Sequence, residues 1–327
     1  MGKIIPLVYP ILRGLPDHAI YTAGLVSEIY RNNWISNQYI HMTCNKNFKE
    51  RKCLGFDFFV DYQKCPYYLM GQIPGSILQG IEKSSLWILL QDCLDNNYFV
   101  QLFLDESKLD NRQFTGAQRM KVHNNCLYGY DNEKVYLGYF NKHGKYEYGS
   151  IFKESFLKYL VVNDSAPFII AKQIENNTYK INLRYIRDSL EDYCASVDLA
   201  VKNDYPIKDT ASPYKAFGIE VYKYAAWYYK SLTKEELPLD IRPLFMLEER
   251  FSCMLQRVSN ISKLLHINLS YFLKQYEELL RKQQISKNLL LKYFCTQDEK
   301  CLYTISDNLL EMADKEYSVL KSMLKEF

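Results

Sequence analysis

The sequence has no long apolar run. Runs such as residues 86–90 (LWILL) and 168–171 (FIIA) fall far short of the roughly 20 residues needed to span a bilayer, so no membrane helix is expected. Charge of one sign is missing too: 41 Lys and Arg against 38 Asp and Glu leave a net charge of +3. That balance is too even for a surface built to neutralise a phosphate backbone, and nucleic acid is not an expected partner. The opening MGKIIPLVYP holds neither a sustained apolar stretch nor a small-residue cleavage site, so a cytoplasmic location is expected. There is no CxxC, HExxH, GxGxxG or GxxxxGK[ST], which argues against a zinc centre, a dinucleotide site and a P-loop; neither metal nor cofactor is expected. Repeats of fixed period are absent as well.

What is present is a globular composition: 327 residues, 48% of them hydrophobic, enough to bury one large core or two ordinary ones. The nine cysteines are odd in number and scattered. In a reducing compartment they read as small buried hydrophobes, which leaves the question of whether one is a nucleophile. Twenty-nine tyrosines offer large contact area with a polar tip, suited to a long, partly polar ligand groove, although AT-rich codon usage accounts for them equally well.

The pattern predicts an α+β chain. Asp17 reads as an N-cap for a helix beginning at His18 and running through AIYTAGLVSEIYRNNW. Residues 38–75 carry aromatic clusters between turn residues and predict irregular structure with short helices or strands. A helix is predicted over 84–95 and a strand over YFVQLFLDE. Three more strand-like runs follow, 125–131, 134–140 and 145–151, separated by turn chemistry; together they predict an antiparallel meander. After a short helix over 152–160, residues 161–167 read as a domain junction. Beyond a short strand (FIIAKQI), amphipathic helical patterns cover 182–195, 213–232, 240–265, 269–295 and 303–325. The expected organisation is therefore a sheet-bearing domain over 1–165 and a mostly helical domain over 166–327.

One constellation could carry chemistry. A helix opens at Asp17-His18-Ala19; much later His123 leads a strand, and the next strand ends at Asn141. This is the layout of papain-like hydrolases and acyltransferases, in which a cysteine thiolate at a helix N-terminus pairs with a histidine that a third residue orients. The segment HNNCLYGYDNEKVYLGYFNKHGKYEYGSIFKESF also resembles the histidine-bearing hairpin of papain-like cysteine acyltransferases of secondary-metabolite assembly lines. Among these are the N-terminal domain of butirosin biosynthesis protein H and the closthioamide amide synthetase, relatives of the bacteriocin-processing cysteine peptidases. The likeness is strongest over 97–160.

The resemblance implies a papain-like domain and transfer of an acyl group from a carrier-protein thioester to a small amine through a cysteine-linked intermediate. The phosphopantetheine arm of an acyl or peptidyl carrier protein would present the thioester. His123 would be the general base and Asn141 its orienting residue, with Asp131 as the alternative orienter. The residue aligned with the nucleophilic cysteine is Ala19. Three accounts fit that departure: an engineered substitution, a non-catalytic relative, or a nucleophile elsewhere, with Cys65 and Cys44 as the nominees. A cysteine peptidase or amidase of the same fold and a non-catalytic binding protein stand as alternative functions.

The other residues read more simply. His18 caps a helix; His41, His143 and His266 lack pattern partners and read as surface or packing residues. Cys126 reads as buried in its strand, and the stripe VYKYAAWYYKSL (221–232) as core rather than groove. Arg281, Lys282 and Lys287 read as solvated charge before a carrier-protein contact.

Overall fold

The computed structural model describes residues 2–60, 62–108, 122–141, 145–202, 214–233 and 236–327. In chain order the elements are β1 (Lys3–Ile4), α1 (Pro16–Gly24), α2 (Glu28–Asn37), β2 (Met42–Asn45), α3 (Phe48–Arg51), β3 (Asp57–Phe58), β4 (Tyr68–Ile73), α4 (Gly75–Gln79), α5 (Lys83–Asp95), β5 (Phe99–Asp105), β6 (Val122–Tyr130), β7 (Lys134–Phe140) and β8 (Tyr146–Phe152). There follow α6 (Lys153–Tyr159), β9 (Leu160–Val161), β10 (Phe168–Gln173), α7 (Leu183–Cys194), α8 (Leu199–Lys202), β11 (Lys215–Phe217), α9 (Val221–Ser231), α10 (Arg242–Leu265), α11 (Ser270–Thr296) and α12 (Lys300–Met323). The class is α+β, with an antiparallel sheet and a helical C-terminal region.

The chain divides into two compact units: Met1–Arg31 with Asp61–Tyr179, and Asn32–Val60 with Lys180–Phe327. This differs from a single cut near residue 165, for two reasons. Strand β10 lies between β4 and β5, antiparallel to both, so the large sheet is complete only after residue 168. Strands β2 and β3 instead pair with β11 in a three-stranded sheet, order β11-β2-β3, which belongs with the helices.

In the first unit the sheet runs β4-β10-β5-β6-β7-β8, with β1 added on β6 and β9 on β5. The expected meander is there: Val100↔Leu127 pairs β5 with β6, and Leu137↔Gly149 pairs β7 with β8. A bulge between Leu127 and Gly129 interrupts the β6–β7 ladder. One sheet face is covered by α5, whose Trp87 ring meets Tyr130 edge-on at 5.6 Å. The helix predicted from His18 is broken: α1 ends at Gly24, and α2 begins at Glu28. Gly24 itself permits close approach to the sheet, since a Cβ there would stand 2.5 Å from the Phe99 ring and 2.6 Å from the Tyr68 hydroxyl.

The second unit is built on the predicted amphipathic stripes. On α10 the positions Leu244, Leu247, Phe251, Met254, Val258 and Ile261 recur at three- and four-residue spacing and are all buried. Asn182 caps α7 by accepting from Tyr185 N–H at 3.0 Å. Helix α9 starts later than its pattern suggests, because residues 215–217 form β11. Its Tyr222, Tyr228 and Tyr229 are core, as read from the stripe.

A fully buried ion pair lies inside this unit. Arg250 Nη2 donates to Glu316 Oε1 at 2.8 Å, its Nε donates to Tyr193 Oη at 3.0 Å, and its Nη1 donates to the Ile40 carbonyl at 2.8 Å. The second carboxylate oxygen accepts from Tyr222 at 2.8 Å and from Tyr193 at 3.2 Å. The basic residues read as solvated charge are paired within the unit, Arg281 with Glu277, Lys282 with Glu311 and Lys287 with Glu248. No helix among the described residues is long and apolar enough to cross a membrane.

Candidate functional site at the start of helix α1

Leu15 precedes α1 in an extended conformation, φ −136° and ψ 153°, and makes no side-chain cap bond. Pro16 opens the helix, where its missing N–H costs nothing because that donor has no partner inside a helix. Asp17 is therefore in the first turn rather than at the cap, and its carboxylate is committed to the sheet. Its Oδ1 accepts from Gln101 Nε2 of β5 at 2.7 Å and from Asn124 Nδ2 of β6 at 2.8 Å. The register explains the convergence. Gln101 lies opposite Cys126 and Phe103 opposite Asn124, so Gln101 and Asn124 point to one face of the sheet, which α1 covers.

Tyr21, one turn on, closes the network. Its hydroxyl donates to Gln101 Oε1 at 2.5 Å while its carbonyl accepts from Tyr68 Oη at 2.5 Å. This fixes the Gln101 amide orientation, oxygen to the phenol and nitrogen to the carboxylate. Burial, reinforced by the Asp17 charge, pushes the Tyr21 phenol well above its ordinary range and keeps it a donor. Tyr62 stacks on Tyr21 with ring centroids 4.5 Å apart. His18, expected as a cap, is buried, and its Nδ1 is hydrogen-bonded to the Tyr62 hydroxyl. Ala19 is fully buried within the same helix. Hydrogen bonds to a charged group contribute about 1.5–3 kcal/mol each, so this network firmly fixes the start of α1.

His123 is on the other face. It pairs with Leu104, and Asn125 pairs with Leu102, one position out of phase with the residues that reach Asp17. A strand alternates its side chains, so the polar neighbour directed at α1 is Asn124 and the proposed base points away. His123 is half-buried, and Asn125 is fully buried with its Nδ2 donating to the His123 carbonyl at 2.9 Å. Asn141 follows β7; its Nδ2 donates to Glu147 Oε2 at 3.0 Å and its Oδ1 accepts from Lys145 N–H at 3.0 Å, bonds that tie the β7–β8 connection. The β6–β7 ladder ends at Cys126↔Gly138, three residues short of the His123 and Asn141 level. Position 19 and His123 are thus not brought together on one face of the sheet.

Asp131 holds a turn. Its Oδ1 accepts from Glu133 and Lys134 N–H at 2.9 and 2.7 Å and its Oδ2 from Tyr136 Oη at 2.7 Å, bonds that hold its carboxyl below the usual range. Cys65 is buried just ahead of β4, and burial pushes its thiol up to about 12 although the Tyr67 and Tyr68 amides pull it down. Burial likewise raises Cys44, in β2 of the second unit, and Cys126, in β6, so neither is a thiolate at neutral pH. His41 is buried beside β2, His266 ends α10 in a left-handed conformation with φ 54°, and His143 lies outside the described residues.

No family model matches the chain, and no curated protein matches it. The case for chemistry rests on the residues themselves. Asp17, His18, Tyr21, Tyr62, Gln101 and Asn124 form one polar network; Asp17 and His18 were expected only as helix caps, and Tyr21, Tyr62, Gln101 and Asn124 were not singled out. Gln101 could have been noticed as the lone amide in the apolar strand FVQLFLD. Asn124 carries no comparable mark, because its neighbours His123 and Asn125 are polar too.

Proposed function

We propose that the chain is a non-catalytic binding protein built on a helix-and-sheet arrangement of the kind cysteine acyltransferases use. The observation that carries this reading is Ala19: a methyl group, fully buried, stands where the resemblance calls for the nucleophilic cysteine. The phase of β6 supports it, since His123 and the start of α1 belong to opposite faces. What remains at the helix start is recognition chemistry. Asp17 is half-buried, and its Oδ1 already holds two amide donors, so among the described residues Oδ2 is the carboxylate oxygen left to accept from an N–H group, in the same network as the stacked Tyr21 and Tyr62 rings. A small amine is the ligand class this favours, a carboxylate and aromatic faces being what an ammonium group selects.

The test is incubation of the full chain with an acyl thioester of N-acetylcysteamine and a primary amine, read by intact-mass spectrometry and by amide formation. The reading expects no covalent adduct and no amide above the uncatalysed background, with saturable amine binding that weakens in Asp17→Asn. Amide formation above background, or an acyl adduct mapped to a cysteine, would overturn it.

The second reading is acyl transfer from a carrier-protein thioester to an amine. It is favoured by the order of parts, a helix anchored on β5 and β6 followed by a histidine-bearing strand and Asn141. It requires a nucleophile, and Cys65, with its thiol raised to about 12, would supply little thiolate at pH 7. Ala19→Cys separates the two: thioester cleavage gained by that variant supports an acyltransferase ancestry with lost chemistry.

A further inference from the structure

The second unit carries a row of buried polar atoms that have no hydrogen-bond partner among the described residues. His41, Thr43 and Asn45 are alternate residues at and along β2, so their side chains share one face, while Met42 and Cys44 point the opposite way and are fully buried. The three polar residues are 8%, 9% and 6% exposed, and among the described residues His41 Nδ1, Thr43 Oγ1 and Asn45 Oδ1 each have no hydrogen-bond partner. Buried polar groups are nearly always paired, and three unpaired ones in sequence on a single strand face are unusual.

The orientation of Asn45 is built in. Its Nδ2 donates to the Cys53 carbonyl at 3.2 Å, which leaves the buried Oδ1 as an acceptor with no partner among the described residues. Gly55, at φ +55°, makes room for that amide, since a Cβ there would stand 2.4 Å from Asn45 Nδ2. Across the sheet the register places Lys215 opposite Asn45, and Phe217 and Asp57 opposite Thr43. The Lys215 ammonium makes no ion pair or hydrogen bond among the described residues. Burial lowers its pKa, with Asp57 the carboxylate in electrostatic reach and Arg51 opposing it. At the other end of the row, His41 lies in the field of Arg250, Arg257 and Lys202, which together with burial keeps it neutral. Of these cations Arg250 is paired with Glu316 and Lys202 with Asp192, which leaves the Lys215 ammonium as the cation on the strand face itself; the unpaired groups in the row are a hydroxyl, an imidazole nitrogen and an amide oxygen.

We propose that this face of β2 binds a small oxyanion that also carries a hydroxyl group, with Lys215 Nζ and Thr43 Oγ1 donating to the oxyanion, Asn45 Oδ1 accepting from the hydroxyl, and His41 contacting the far end of the ligand. Carboxylate and phosphate share the oxyanion chemistry; malate and inorganic phosphate distinguish them. The site is independent of the α1 network and of the amine reading made for it.

Isothermal titration of the full chain with malate, and separately with phosphate, at an ionic strength matched by sodium chloride, should give saturable binding of at least one. Lys215→Met should abolish it, and Thr43→Val should weaken it about tenfold, while leaving circular dichroism unchanged. Binding of malate alone assigns a carboxylate, of phosphate alone a phosphate, and of both a general oxyanion site. A measurement on the unaltered chain guards against variants that fail to fold: acetylation of Lys215, followed by peptide mass mapping, should slow at least fivefold when the bound anion is present. Absence of saturable binding by both anions, or equal acetylation rates with and without the anion, overturns the proposal.

Discussion

Replacing Arg250 with methionine isolates the largest single electrostatic commitment in the helical unit. Both members of the Arg250–Glu316 pair are wholly shielded from solvent. The substitution removes donors from Glu316, Tyr193 and the Ile40 carbonyl, but the dominant cost is the carboxylate left behind. It would keep only the Tyr222 and Tyr193 hydroxyls, at 2.8 and 3.2 Å. Breaking one side of a buried pair costs about 3–5 kcal/mol, whereas removing both charges is often close to neutral. Arg250→Met should therefore lose about 3–5 kcal/mol, a fall of roughly 6–20 °C in Tm for a unit of this size. The double variant Arg250→Met with Glu316→Gln keeps an acceptor for both phenols without the charge, and should recover at least about 2 kcal/mol of that loss. Urea unfolding followed by far-ultraviolet circular dichroism measures both, with midpoint and slope fitted separately because two units need not unfold together. A loss under about 1 kcal/mol in the single variant, or losses that simply add, would refute the reasoning.

Three other perturbations are equally direct. His41 is lowered to about 3 by burial and then by the charges of Arg250, Arg257 and Lys202, so between about pH 6.5 and 3 the unfolded chain binds a proton that the native chain does not. Stability is fully present above pH 6.5 and falls on acidification by up to about 1.4 kcal/mol per pH unit. His41→Gln should flatten urea midpoints measured from pH 7 to 5, and an unchanged slope would reject the assignment. Asp17→Ala leaves the amides of Gln101 and Asn124 without their acceptor and should cost about 1–3 kcal/mol, with Asp17→Asn recovering part of it by thermal unfolding; equal loss in the two variants would argue against the network. Gly24→Ala drives a methyl to 2.5 Å from the Phe99 ring and should cost about 1–3 kcal/mol, so a variant as stable as the parent would show that α1 is not seated closely against β5.

How legible such features are in a sequence depends on which physical rule writes them. The meander from β5 to β8 was legible because turn chemistry and strand runs are local signals. The helices α10 and α12 were legible because a stripe of period 3.6 survives one foreign residue: Glu316 falls between Met312 and Val319 in the buried stripe of α12, an acid where only an apolar or paired residue fits. The pairing of β10 between β4 and β5 was not legible, since nothing local in FIIAKQ names its partners, and that pairing shifts the division of the chain away from residue 165.

The candidate site fails to be legible for a narrower reason. His123, Asn124 and Asn125 are three consecutive polar residues, and side-chain alternation guarantees that the middle one faces oppositely to its neighbours without saying which face the helix will cover. The apolar partners decide it. Val100, Leu102 and Leu104 are fully buried on one face of β5, which leaves Gln101 on the other to meet α1. Because β6 is registered with Leu104 opposite His123, the same phase that buries the leucines turns the histidine away from α1 and gives Asn124 to Asp17. A one-residue slip of β6 would exchange the two, and it would also carry Cys126 and Leu127, both fully buried, to the opposite faces. The packing of that pair thus opposes any slip of β6 that would turn His123 toward α1, and it keeps Asn124, not His123, on the face that α1 covers.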